Sequence, residues 1–376
     1  MSVHLEAVDV TADTAQIRAG RMIATRDAPA DKKTPLRHGK EIAPGLLAAV
    51  TVAAVATGLG LAAPVVGGPV FGILLGVIAA SAVPALRTTR WTPGYAVASK
   101  PVLQLSIVIL GTGLSLQEVL RVGGESLPVM LGTLAIALGG AWLLGRWLGV
   151  LGDTRTLIAV GTGICGASAI AATAAVIKPK QADIAYAIGT IFTFNIAAVL
   201  LFPPLGHLLG MSPQAFGLWA GTAINDTSSV VAASFAYDGD AGPHGVVVKL
   251  TRTLTLIPIV LTLAISTAHR TTSGPAEPRT GFTLRGLPWR RVVPLFLLGF
   301  IAAATLESLG AIPASWHPAL SFLGTFLITT ALAGIGLTLR LADLRKAGHR
   351  PLLLGGLLWV LVAASSLGLQ ALTGTL

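Results

Sequence analysis

The sequence predicts an all-α polytopic membrane protein with about 11 transmembrane helices, inverted repeats and discontinuous helices. Three observations carry that prediction. Hydrophobic residues make up 53% of the 376 and charged residues only 11%, where a soluble domain carries about 25% charge. The apolar residues gather into eleven runs of near-membrane length. Two of those runs carry the same interruption by glycine, hydroxyl and small residues.

In chain order, residues 1–42 form a tail with seven Lys/Arg and no apolar core of the signal-peptide kind, which predicts a cytoplasmic, disordered segment without chemistry of its own. Residues 43–376 form the transmembrane domain. Its spans are 43–63, 69–83, 101–115, 126–149, 156–177, 184–204, 215–235, 245–268, 293–313, 316–339 and 351–373. The second and third are short for a hydrocarbon core of about 30 Å. With the N-terminus inside, the cytoplasmic segments hold 21 of the 26 Lys/Arg, the external ones only Arg121, Lys178 and Lys180, and Lys249 and Arg252 lie within a span. That asymmetry predicts a cytoplasmic N-terminus and an external C-terminus, and it accounts for the net charge of +10 without nucleic acid. The two lysines of segment 178–183 are the weak point of this topology, and a re-entrant preceding span would remove it.

The first interruption runs Gly161-Thr162-Gly163-Ile164-Cys165-Gly166-Ala167-Ser168, and the second Gly221-Thr222-Ala223-Ile224-Asn225-Asp226-Thr227-Ser228-Ser229, 60 residues later. Lipid does not tolerate unpaired backbone, so a break at membrane depth marks a buried site where helices unwind around a solute or ion. Two full crossings at this separation would be parallel; an inverted pair requires a re-entrant one. A second repeat, Gly113-Leu114-Ser115-Leu116 against Gly336-Leu337-Thr338-Leu339 with Pro128 and Gly132 against Pro351 and Gly355, has opposite orientation in the span count.

Candidate site residues follow from cost. A carboxylate at mid-membrane is expensive and faces a cavity or a cation, so Asp226 with Asn225 is the candidate for the coupling ion, H⁺ or Na⁺. Thr227, Ser228 and Ser229 surround it with oxygens and, with Thr162, Gly163, Cys165, Gly166 and Ser168, are candidates for solute binding. A helix starting near Ala167 would offer free N–H groups to an anion. Asn195 is a polar residue on the span between the breaks, and either lines the same cavity or bonds between helices. Lys249 and Arg252 share one helix face, and either bind an anion or pair with Asp226. Pro258 predicts a kink beyond them. Glu307 falls near a span end.

Several chemistries are excluded. The literal G-x-G-x-x-G of Gly161, Gly163 and Gly166 has no strand before it and no βαβ unit around it, so it is no dinucleotide site. Cys165 is the single cysteine, which rules out an intrachain disulfide. No catalytic triad or metal motif is present, so neither an enzyme, a metal nor a cofactor is predicted.

The two interruptions, with Ala187-Ile188-Gly189-Thr190, Phe202-Pro203-Pro204-Leu205-Gly206 and Val248-Lys249-Leu250-Thr251-Arg252, resemble the YeiH-type bacterial inner-membrane proteins over about residues 43–373. Members carry a provisional sulfate-exporter label or no functional label. The resemblance implies a relation to the superfamily of cation–proton antiporters and bile-acid symporters, with inverted repeats and discontinuous helices crossing at the substrate site. By it, Asn225–Ser229 and Thr162–Ser168 would line that site beside Lys249 and Arg252. Many relatives are expected to carry His before the acid, where this chain has Asn225. The expected function is a secondary transporter exporting a small anionic, sulfate-like solute. The alternatives are a cation/proton antiporter and, in another class, a membrane scaffold or receptor. The expected partners are lipid, the solute or ion, and a second copy in a homodimer.

Overall fold

The computed structural model describes residues 35–62, 67–271, 294–338 and 349–376. Of the predicted tail, residues 1–34 lie outside this range, as do most of the basic segments 269–291 and 340–350. All regular structure among the described residues is helical. The helices are α1 (Pro35–Ala62), α2 (Gly67–Ala82), α3 (Thr92–Gly113), α4 (Leu116–Trp147), α5 (Gly152–Gly163), α6 (Ala167–Ile177), α7 (Gln181–Leu208), α8 (Pro213–Ala223), α9 (Thr227–Tyr237), α10 (Ala241–Leu254), α11 (Leu256–Thr271), α12 (Leu295–Ser308), α13 (His317–Thr338) and α14 (His349–Thr373). Each of the eleven predicted spans coincides with one helix or one interrupted pair. Among the described residues, seven segments are long and apolar enough to cross a membrane, with α10 and α11 counted as one. The predicted short span at 101–115 is longer than expected: α3 begins at Thr92, and a π-helical turn at Ala98–Val102 absorbs Pro101.

The two interrupted spans are not crossings. Each is a helical hairpin whose ends return to the same end of the bundle. In α8–α9, Phe216 near the start stacks on Tyr237 at the finish, with ring centroids 3.9 Å apart. The Tyr237 hydroxyl also donates to the Met211 carbonyl ahead of α8. In α5–α6, the Thr154 hydroxyl at the start donates to Asp183, which follows α6 in the first turn of α7. A Cβ built on Gly161 would lie 3.1 Å from the Ile170 side chain, so the arms pack face to face. Each arm has 11 or 12 residues, about 17 Å of helix and roughly half a membrane.

Between the hairpins runs α7, 28 residues and about 42 Å long. It carries the chain from the open end of the first hairpin to the open end of the second, so the hairpins enter from opposite ends and meet tip to tip. The finishes of α5 and α8, both bounds of α6 and α9, and the starts of α7 and α10 all lie 60 residues apart. The short repeat seen in the sequence is therefore the signature of a whole unit, a hairpin plus a long helix, present twice in inverted orientation. This corrects the parallel arrangement expected of two full crossings.

The outer repeat is inverted as well. Helices α4 and α14 pack antiparallel, with Gly132 against Leu369 and Gly140 against Leu358 and Leu361. Helices α2 and α13 pack side by side through small residues: Gly72 meets Thr329, and Gly76 meets Ala333 and Gly336. Close approach of this kind replaces the hydrophobic drive that lipid does not supply. Glu307, in the last turn of α12, meets His317 at 3.1 Å, which places it at a span end as predicted.

Candidate functional site

The hairpin tips meet beside α10. The tip of the first is Ile164-Cys165-Gly166. Gly166 adopts φ +64°, a left-handed conformation natural to glycine, and its N–H bonds back to the Gly161 carbonyl. The tip of the second is Ile224-Asn225-Asp226. The two touch, since a Cβ on Gly166 would lie 3.4 Å from the Asp226 Cβ. Helix α10 packs along both arms of the second hairpin, because Gly217 and Gly221 on α8 and Ser234 on α9 all meet its backbone or side chains around Gly245 and Val248.

From that position the fully buried Lys249 reaches both tips at once. Its Nζ donates to the Ile164 carbonyl at 2.8 Å and to the Ile224 carbonyl at 2.6 Å. These carbonyls cap the C-terminal ends of α5 and α8, where the helix dipoles concentrate negative charge. The predicted alternative for the two cations, a salt bridge to Asp226, is not formed. Asp226 instead caps α9: its Oδ2 accepts from the Ser228 N–H at 3.0 Å and from the Ser228 hydroxyl. Its own N–H donates to Asn195 Oδ1 at 3.2 Å, so Asn195 of α7 binds the second tip directly and is more than an interhelical spacer.

Arg252, one turn beyond Lys249, is 0% exposed, and its Nε, Nη1 and Nη2 all lack a hydrogen-bond partner among the described residues. It lies within electrostatic reach of Cys165 and Lys249, and Lys249 within reach of Asp226. Two more buried polar atoms near the tips, the Thr162 hydroxyl and Asn225 Oδ1, are also without partners among the described residues. Thr227, Ser228 and Ser229 are half-buried around Asp226, Ser168 is exposed on the first turn of α6, Gly163 closes α5, and Cys165 is buried as a packing residue. The structure thus gathers the residues predicted from the two interruptions, with Asn195 and Lys249, around one junction. It holds two cations and one carboxylate, and the N-terminal ends of α6 and α9 converge there.

Sequence reading missed the two acceptors that organise the junction, the Ile164 and Ile224 carbonyls. Their matched place in the 60-residue repeat was the available signal. It also missed a buried chain on α14 and α8: Gln370 Nε2 donates to Ser366 Oγ at 3.2 Å, and Ser366 shares a 2.7 Å bond with Thr222 Oγ1, two residues before the second tip. No group of three or more metal-ligating side chains occurs among the described residues.

Two opposed hairpins joined at half-membrane depth within an inverted repeat define a polytopic helical membrane protein of the discontinuous-helix class. The chain belongs to the family described as Conserved hypothetical protein 698, whose model matches residues 44–355, the YeiH-type family that its motifs resemble. It is 42% identical over 335 residues to a UPF0324 membrane protein of Streptococcus pyogenes serotype M3, covering 88% of this chain and 97% of the relative. A UPF0324 membrane protein of Streptococcus mutans serotype c is 41% identical over 339 residues, with 88% and 97% covered. Another, of Streptococcus agalactiae serotype V, is 40% identical over 344 residues, with 89% and 99% covered.

Proposed function

We propose that this protein is a secondary transporter of the bacterial inner membrane that exports a small oxyanion, sulfate-like in charge and size, and performs no covalent chemistry. The observation that carries the reading is Arg252: a guanidinium with no exposed surface and no hydrogen-bond partner for any nitrogen among the described residues. An unpaired buried charge costs several kcal/mol, a cost that is met when the site has a counter-ion to receive. Lys249 is already engaged by two carbonyls, so Arg252 and the N-terminal ends of α6 and α9 remain for a transported anion. Thr162, Ser168, Thr227 and Ser228 supply hydroxyls to orient it. Asp226, half-buried and bonded to Ser228 through Oδ2 with no bond to Oδ1 among the described residues, is the coupling carboxylate for H⁺ or Na⁺.

The hairpins support an orientation with the N-terminus inside and the C-terminus outside. With both interrupted spans folded back, the nine remaining segments cross, and Lys178 and Lys180 move to the cytoplasmic side. Arg121 is then the single external basic residue of the 26.

Oδ1 of Asp226 also favours a second reading, a cation/proton antiporter in which Arg252 is structural. Proteoliposome flux separates the two. With radiolabelled sulfate, sulfite and taurine as probes, Arg252→Ala is expected to lower anion flux at least tenfold and Arg252→Lys to retain part of it. Flux unchanged in both Arg252→Ala and Asp226→Asn removes the proposed site. Sodium–proton exchange that needs no anion favours the antiporter.

A further inference from the structure

The C-terminal ends of two half-helices, meeting at half-membrane depth with their last carbonyls converging, form an oxygen site for a hard cation. In this chain the converging carbonyls are those of Ile164 and Ile224, which occupy equivalent places in the two inverted units. The Lys249 ammonium stands between them at 2.8 and 2.6 Å. Each helix C-terminus carries a partial charge of about −0.5, so the pair balances one full positive charge. The donor has no counterpart across the repeat: 60 residues before Lys249 the first unit has Gly189 on α7. A symmetric pair of acceptors is served by one asymmetric, covalently attached cation.

We infer that Lys249 is a resident cation filling an ion position formed by the two tips, so that their junction holds together without sodium. For the transport cycle, which rests on the reading above, this leaves the proton on Asp226 as the coupling ion. It also means that deleting the Lys249 side chain uncovers a site for a free monovalent cation, with the Ile164 and Ile224 carbonyls as ligands.

The test reads binding through stability and needs no flux, so it stands or falls apart from the anion assay. Full-length protein purified in detergent is melted in sodium, methylammonium or N-methylglucamine chloride. Wild type is expected to melt at the same temperature in all three. Lys249→Ala is expected to melt lower than wild type in N-methylglucamine and to regain several degrees with sodium or methylammonium. A second variant covers loss of folding in the first. Lys249→Met keeps the volume and removes the charge, and it is expected to be less stable than wild type and indifferent to the cation. Three results overturn the inference: a folded Lys249→Ala that ignores every cation, a wild type stabilised by sodium, or a Lys249→Met as stable as wild type.

Discussion

Phe216 and Tyr237 lie 21 positions apart on two different helices, yet their rings stack with planes 10° from parallel. A straight run of that length would hold them about 30 Å apart. The contact therefore fixes the second interrupted span as a hairpin, and it closes the end of that hairpin farthest from the tip. His207 stacks on the other side of Tyr237 at 4.2 Å, tying the open end to the finish of α7. Tyr237→Phe keeps the stack and loses only the bond to the Met211 carbonyl. It is expected to cost about 1 kcal/mol, whereas Tyr237→Ala is expected to cost about 3–5 kcal/mol by emptying an aromatic cluster. Thermal melts of the two purified variants check the order.

Opposed hairpins reverse the sidedness of two connections relative to an eleven-crossing topology. Lys180, before α7, and Gln214, in the first turn of α8, are both exposed. In a Cys165→Ala background, Gln214→Cys is expected to react with a membrane-impermeant maleimide in intact cells, and Lys180→Cys only after permeabilisation. The reverse pattern would restore two full crossings.

Much of this architecture was legible before any coordinates. Composition named the class, and the glycine and hydroxyl interruptions at Gly161 and Gly221 located the junction, because such clusters weaken a helix where lipid cannot pair its backbone. The fold-back was not legible. The run 156–177 is long enough to cross, and the contacts that bend it, Thr154 with Asp183 and Gly161 with Ile170, are tertiary. Lys178 and Lys180 carried the one warning. The acceptors of Lys249 were also hidden, since every residue owns a carbonyl and only folding selects Ile164 and Ile224. Residue types left Lys249 and Arg252 either to bind an anion or to pair with Asp226; the pairing is not formed, because Lys249 bonds two backbone carbonyls and Asp226 bonds Ser228.

Gly166 at the tip tolerates a side chain poorly because of its backbone. Its backbone, φ +64° and ψ −131°, costs a non-glycine residue about 1–3 kcal/mol, while the added Cβ meets Asp226 at 3.4 Å. That distance is ordinary van der Waals contact, so the strain decides. Gly166→Ala is expected to fold, to melt a few degrees lower, and to lose anion flux through a displaced tip. Gly124→Ala on α4, where a Cβ would meet nothing within 4 Å, serves as the control with flux unchanged.

Asn195 joins the long helix of the first unit to the tip of the second, through one bond from the Asp226 N–H. That N–H belongs to the residue capping α9, so Asn195 sets where the carboxylate points. Asn195→Asp retains an oxygen acceptor and adds a negative charge beside Asp226; Asn195→Leu removes the acceptor and leaves the N–H of a half-buried tip unpaired. Loss of the acceptor is expected to cost about 1–3 kcal/mol of stability. The two variants are expected to differ in transport. Asn195→Asp keeps an acceptor for the Asp226 N–H but sets a second negative charge at the tip, so it should lower anion flux with a smaller loss of melting temperature than Asn195→Leu. Measuring flux and melting temperature for both variants checks this, and flux unchanged in Asn195→Asp would exclude the second tip from the anion path.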